Sequence, residues 1–320
     1  MQATLNICLN MSMALARENP YGIELVEHDG FFYQPRSLKD VMNMKTQFKA
    51  RKDDVFVCSG MKTGTTWLKA IVASIMSESK SHVLKEKGVH DLVYNIERSY
   101  ISRSMPNANT STIIAEMPSP RLLSTHLPYS ALPPQITSLG CRMIYIARNP
   151  KDTFVSHWKY LPALQAVFNT ETTAPVSREV FFDSFCNGAS LFGPFVDHVL
   201  SFWNPSRRQS NILFLTYEDM KADSLSYVKK ISDFLGQSSL TQEDIRYIDS
   251  QCSFQSLSTL DVNKNGKTTY KNANVNNRSF YRKGEVGDWK NHFTPEMSSR
   301  INLVVENKFQ EAGLFLKYEL

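Results

Sequence analysis

Val55-Phe56-Val57-Cys58-Ser59 is an unbroken run of apolar and small residues, and behind it Leu68, Ile71, Val72 and Ile75 recur at helical spacing. The first pattern predicts a buried strand, the second a helix packed along one face. The same order returns at Arg142–Arg148, a second buried run, followed by Asn149-Pro150 and a helix carrying Phe154, Val155 and Trp158. Between them, Arg121–His126 is a shorter apolar run ending in a histidine, and Pro128 stops the strand just beyond it. Asn211–Leu215 predicts a further core strand, leading through Thr216–Asp219 to a helix from Leu225 to Leu235. Repeated strand, turn and helix units predict an α/β fold, a central parallel sheet flanked by helices, with ligands at the carboxyl ends of the strands.

The remaining pattern is less regular. Phe31, Phe32 and Tyr33 cluster before Pro35 and either pack as core or line an apolar pocket. Ser77–Pro120 is polar and mixed, without firm periodicity. Helices are expected over Glu179–Cys186 and through Phe195, Val199 and Phe202 as far as Pro205. Asp261–Arg278 is rich in Asn, Lys and Thr and nearly free of apolar residues, which predicts a mobile loop acting as a lid. The final helix, after Pro295, places Ile301, Val304, Val305 and Phe309 on one face. No internal repeat or linker divides the chain, so one domain is expected.

Composition narrows the function classes. Apolar residues at 42% of 320 supply a sizeable core. A net charge of +5, from 36 basic and 31 acidic residues with no basic run, suits small anionic ligands better than nucleic acid. The five cysteines, Cys8, Cys58, Cys141, Cys186 and Cys252, show neither paired nor zinc spacing, which predicts buried free thiols in a reducing compartment. Met1–Arg17 lacks a basic start and is broken by Asn6, Asn10 and Ser12, a poor signal peptide, and no stretch reaches the length of a membrane span. A soluble, cytoplasmic protein without a membrane partner is expected.

Candidate chemistry gathers at the predicted strand ends. The turn Gly60-Met61-Lys62-Thr63-Gly64-Thr65-Thr66 joins a buried strand to a helix, so unpaired N–H groups and the positive end of the helix dipole converge there. Lys62 and the hydroxyls of Thr65 and Thr66 add further donors. A nucleotide triphosphatase loop places its lysine after the second glycine. Here Lys62 precedes Gly64 and the loop is one residue short counting from Gly60, which argues against an ATP or GTP site. Arg148 at the next strand end, with Ser156 two helical turns on, makes a second cationic turn. Two anion sites on neighbouring strands fit a ligand carrying two separate phosphate groups. Arg282-Lys283-Gly284, read alone, is an ordinary solvated turn.

Taken together, Lys62-Thr63-Gly64-Thr65-Thr66-Trp67, Ala147-Arg148-Asn149-Pro150-Lys151-Asp152, and Arg282-Lys283-Gly284 with Gly287, Trp289 and Lys290 resemble the three cofactor motifs of cytosolic sulfotransferases. The resemblance runs from about residue 29 to the C-terminus, leaving 1–28 as an N-terminal extension and 29–320 as the sulfotransferase domain. Ser124–Tyr129 and Phe31–Pro35 are most similar to the plant soluble branch. The resemblance implies 3'-phosphoadenosine 5'-phosphosulfate (PAPS) as sulfuryl donor and a small, largely apolar hydroxylated acceptor of steroid, flavonoid, hydroxyjasmonate or desulfoglucosinolate type, with no metal. It implies that Lys62, Thr63, Gly64, Thr65 and Thr66 hold the phosphosulfate and that Arg148, Ser156, Arg282, Lys283 and Gly284 hold the 3'-phosphate. Trp67 and Phe254 would stack on the adenine, Tyr217 would bond to it, His126 would act as general base, and Lys62 would stabilise the leaving oxygen.

Four positions depart from the family pattern. Met61 stands where a proline is usual, Ser124 replaces a lysine of many animal members, and Pro295 and Ser299 interrupt the animal dimer motif, which implies a monomer. The competing functions are a P-loop nucleotide kinase and a non-catalytic nucleotide-binding protein. The first is opposed by the loop spacing, the second by the presence of both Lys62 and His126.

Overall fold

The computed structural model describes residues 17–18, 22–97, 110–168, 176–270 and 273–317. Arg17–Glu18 (β1), Leu25–His28 (β2) and Phe31–Tyr33 (β3) form a small antiparallel sheet that leads into helix Pro35–Gln47 (α1). Gln34 caps α1 by accepting from the Ser37 N–H, and Pro35 occupies the first turn, where its missing N–H is harmless. Phe31 and Tyr33 are buried against the core, while Phe32 is partly exposed. A boundary at residue 28 falls between two paired strands, His28 lying opposite Phe31. Residues 1–16 and Cys8 lie outside the described residues.

The central sheet has five parallel strands in the order β5-β6-β4-β7-β8: Tyr94–Asn95 (β5), Leu122–Thr125 (β6), Val55–Ser59 (β4), Arg142–Ala147 (β7) and Ile212–Thr216 (β8). All five residues of β4 are buried because both faces are covered. Phe56, Cys58, Met143 and Tyr145 point into one core, with helices Pro150–Phe168 (α3), Arg178–Cys186 (α4), Phe195–Ser206 (α5) and Pro295–Glu311 (α7) contributing to it. Val55, Val57, Ile144 and Ile146 point into the other, against Thr65–Met76 (α2) and Ser224–Phe234 (α6). The alternation of strand side chains thus divides the interior into two apolar layers.

Three expectations are corrected. Asp261–Arg278 is no open loop: Asp261–Lys264 is a helical turn, and Lys267–Tyr270 (β9) pairs antiparallel with Ala273–Asn276 (β10). Its order comes from polar bonds, Thr268 Oγ1 to Asn277 Oδ1 at 2.6 Å and Asn277 Nδ2 to the Val262 carbonyl at 2.8 Å, which an apolar pattern does not reveal. Pro205 lies inside α5 rather than ending it. Val304 is exposed, whereas Ile301, Val305 and Phe309 are buried. Cys58, Cys141 and Cys252 are buried free thiols, and Cys186 is half-buried.

Candidate functional site

The turn between β4 and α2 is held in shape by its own side chains. Thr63 Oγ1 lies 3.1 Å from the Gly60 carbonyl and 2.9 Å from the Ile146 carbonyl, tying the turn to β7. Thr65 and Ser59 hydroxyls meet at 2.6 Å. Gly64 has φ +117°, and a Cβ there would sit 2.8 Å from the Tyr217 ring and 2.9 Å from Ile146, so both conformation and space demand glycine. Lys62 adopts φ +65°, a left-handed conformation costing roughly 1–2 kcal/mol for a residue with a Cβ. Its ammonium lies 3.9 Å from the Tyr160 ring centroid and 5.8 Å from that of Phe280. Burial, then the Arg148 and Arg282 cations, pushes the Lys62 pKa down to about 7.

The structure brings Lys62, Gly64, Thr65, Thr66, Trp67, His126, Arg148, Ser156, Tyr217, Phe254, Arg282, Lys283 and Gly284 onto the wall of one cavity of about 340 Å³. Thr63 is the exception among the residues read from sequence. Its side chain is fully buried and engaged within the turn, so its hydroxyl does not face the cleft. Met61 also lines the cavity and packs against the core, an apolar contact at the position where a proline was expected.

A second cationic cluster lies on the far wall. The Arg148 guanidinium stacks 4.4 Å from the Tyr217 ring, donates to the Glu285 carbonyl at 2.7 Å, and lies 3.8 Å from Asp152. Asp152 accepts from the Gly287 N–H at 2.7 Å and the Trp289 N–H at 3.0 Å, docking the 282–289 turn onto the first turn of α3. Arg282 and Lys283 both donate to Asp288. Burial alone would raise the Asp288 carboxyl, yet these two cations hold it well below the usual carboxylate range. The Nε atoms of Arg148 and Arg282 are buried without a partner, as groups waiting for an anion would be. Gly284, at φ +69°, lies so close to Phe254 that a Cβ would come within 2.4 Å of the ring. Trp67 meets Tyr217 edge to face at 5.4 Å.

His126 stands just past β6 and lines the same cavity as Lys62. Its Nδ1 is 2.9 Å from the Ser59 carbonyl, which can only accept, so Nδ1 carries the proton and Nε2 keeps a free lone pair. Burial lowers the His126 pKa to about 4, partly offset by that bond, so the ring is neutral at pH 7. Its main chain is braced by Glu97, whose Oε1 accepts from the His126 N–H, from Thr125 Oγ1 at 2.8 Å and from the Leu127 N–H at 3.1 Å. Burial raises the Glu97 pKa, against the pull of these donors. Lys69, on α2, donates to the Val93 carbonyl at 3.0 Å beside it.

Beyond His126 the wall turns apolar, with Tyr160, Leu164, Phe168, Leu191, Phe192 and Phe280 prominent. Segments 77–120 and 160–180 line part of the cavity, with Glu97 from the first and Leu164 from the second, while 98–109 and 169–175 lie outside the described residues. Sequence reasoning missed Glu97, Lys69 and Tyr160. Glu97 sits in a stretch without periodicity, and Lys69 and Tyr160 read as helix-face residues.

A sulfotransferase domain model matches residues 52–313. Cytosolic sulfotransferase 5 of Arabidopsis thaliana is 38% identical over 304 residues, covering 92% of this chain and 91% of that protein. A flavonol sulfotransferase-like protein of Flaveria bidentis is 38% identical over 305 residues, with 92% and 94% covered. Among solved structures, mouse sulfotransferase SULT7A1 complexed with PAP superimposes with a TM-score of 0.66 at 26% identity, covering 89% of this chain and 95% of that one.

Proposed function

The chain belongs to the sulfotransferase family, and we propose that it moves a sulfuryl group from PAPS to a hydroxyl of a small, largely apolar acceptor. The observation that carries this reading is the pair of cation clusters on one cavity, Lys62 with the α2 N-terminus and Arg148 with Arg282 and Lys283. Two separated anion sites suit a nucleotide phosphorylated at both 3' and 5' positions. A nucleotide kinase would leave the second cluster without use. The buried, unpartnered Nε atoms of Arg148 and Arg282 and the close-packed Gly64 and Gly284 support the fit to such a ligand. Thr65, Thr66 and the first N–H groups of α2 would hold the 5' end, with Gly64 and Thr63 shaping the turn. Ser156 and Gly284 would join the cations around the 3' end, and Trp67, Tyr217 and Phe254 would hold the base.

When bound, PAPS supplies an activated sulfuryl group with a phosphate as its leaving group. His126 Nε2 would take the proton of the acceptor hydroxyl. Lys62 would hold the phosphosulfate and stabilise the negative charge of its phosphate leaving group. The apolar wall around Tyr160, Phe192 and Phe280 excludes water, so the acceptor hydroxyl is the nucleophile at hand.

The test is a screen of steroid, flavonoid, hydroxyjasmonate and desulfoglucosinolate acceptors with sulfur-labelled PAPS. Label transfer to at least one hydroxyl is expected, and phosphate transfer from ATP in its place would restore the kinase reading. In the same assay, Arg148→Ala is expected to weaken binding of adenosine 3',5'-bisphosphate (PAP) about 10–100-fold, roughly the loss of one charge-assisted contact, and that of 5'-AMP far less. Equal losses for both nucleotides would remove Arg148 from the 3'-phosphate.

The chain works as a cytosolic monomer in this reading. The relatives are named cytosolic, no helix among the described residues is long and apolar enough to cross a membrane, and Pro295 and Ser299 stand in the dimer segment. Sedimentation velocity should give a single species of monomer mass, and a stable dimer would contradict it.

A further inference from the structure

We propose that His198, with Tyr145 behind it, is a positioning residue that holds the main chain of His126, and so its imidazole, in register with the phosphate-binding turn. His198 lies on α5, is 2% exposed and is absent from the cavity wall, so it touches neither ligand site. Its Nε2 is 2.9 Å from the His126 carbonyl and its Nδ1 is 2.9 Å from the Tyr145 hydroxyl.

The direction of these bonds follows from chemistry. A carbonyl only accepts, so Nε2 carries the proton and Nδ1 accepts from the Tyr145 O–H. The Tyr145 hydroxyl lies beside Gly60, the first residue of the turn, where an added Cβ would stand 3.9 Å from its oxygen. A chain of donors therefore runs from Tyr145, next to the turn, through His198 to the carbonyl of His126. The opposite side of His126 is fixed by Glu97 on its N–H and by the Ser59 carbonyl on its ring. The base is thus held at three points, its carbonyl by His198, its N–H by Glu97 and its ring by the Ser59 carbonyl, and Ser59 ends the strand that leads into the turn carrying Lys62.

An ordinary core position on this face of α5 would hold an aliphatic or aromatic side chain, as Val199 and Phe202 do. A buried imidazole is costly unless both nitrogens are bonded, and here both are. Burial keeps His198 neutral, with its pKa lowered to about 4, so the bonds stand as described at neutral pH. Without the Nε2 donor, the His126 carbonyl has no fixed partner on this side and the base can drift from the reacting oxygen. A displacement near 1 Å is enough to cost about 100-fold in rate.

The inference rests on His126 being the base, and the experiment separates the two. His198→Gln keeps an amide donor at the reach of Nε2, whereas His198→Asn reaches Tyr145 but stops short of the His126 carbonyl. His198→Asn should lower kcat about 10–100-fold while PAP affinity and the KM for PAPS stay within about twofold, and His198→Gln should recover kcat to within about fivefold of wild type. A merely structural histidine would give equal kcat in the two variants, or a PAP affinity that falls in step with kcat, and either result overturns the proposal. If the Asn variant does not fold, Tyr145→Phe decides: a several-fold loss of kcat at unchanged PAP affinity is expected, and unchanged kcat overturns the proposal. His126→Ala is run alongside. Wild-type activity in that variant defeats the base assignment itself, whereas its inactivity combined with a fully active His198→Asn defeats only the positioning role.

Discussion

His126→Ala lowers kcat by about 10²–10⁴-fold, the span that a positioned general base contributes, while PAP binding is unchanged. The expectation follows from three observations. The Ser59 carbonyl fixes the proton on Nδ1, burial keeps the ring neutral, and His126 lines the same cavity as Lys62. Stopped assays of label transfer at saturating PAPS and acceptor measure the loss. His126→Gln keeps a polar side chain of similar reach but no basic nitrogen and should be equally impaired. Full activity in either variant would remove His126 from the reaction.

Lys62→Ala should lower kcat by about 10²–10³-fold, as the loss of a charged group facing a leaving oxygen does. It should also change the proton balance of binding. In the ligand-free protein, burial and the Arg148 and Arg282 cations hold the Lys62 pKa at about 7, so at pH 8 most of the population is neutral. A bound phosphate favours the ammonium and raises that pKa, so binding at pH 8 takes up about one proton. The sign is set by the order of the two values. Affinity is highest below pH 7 and falls as pH rises above the free-state pKa, levelling once the pKa of the complex is passed. Titration calorimetry of PAP in two buffers of different ionisation heat reads the uptake, which should vanish in Lys62→Ala. Normal turnover with unchanged proton uptake would sink the assignment.

The strand ends were readable because a parallel sheet covered on both faces writes its strands as apolar runs. Val55–Ser59 and Arg142–Ala147 are such runs, and Lys62, His126 and Arg148 are the polar residues that follow such runs. Position therefore marked them as candidates, and the family resemblance supplied their expected roles. Glu97 follows a strand of only two residues, too short to print any pattern. His198 sits among apolar neighbours on a helix, where a satisfied core histidine and one that braces a base look alike until the partner atom is known. The 261–278 segment failed for the opposite reason, since its order rests on Asn and Thr bonding to one another rather than on buried apolar surface. Arg282 and Lys283 were ambiguous in isolation. Contacts more than a hundred positions apart carry them to Arg148, the Asp152 bonds to Gly287 and Trp289 and the Arg148 bond to the Glu285 carbonyl.

Helix α3 carries Ser156 in its first half and Leu164 and Phe168 in its second, with Pro162 between them. Proline withholds the N–H that would have bonded the carbonyl four residues earlier, so the helical ladder has a missing rung at that point. In the proposed reading Ser156 before it serves the donor nucleotide, and Leu164 and Phe168 after it serve the acceptor. A fixed tool-holder and an exchangeable jaw would then share one helix instead of two domains. Substitutions in its last turn and a half are then expected to redraw acceptor preference while PAP affinity stays as it is.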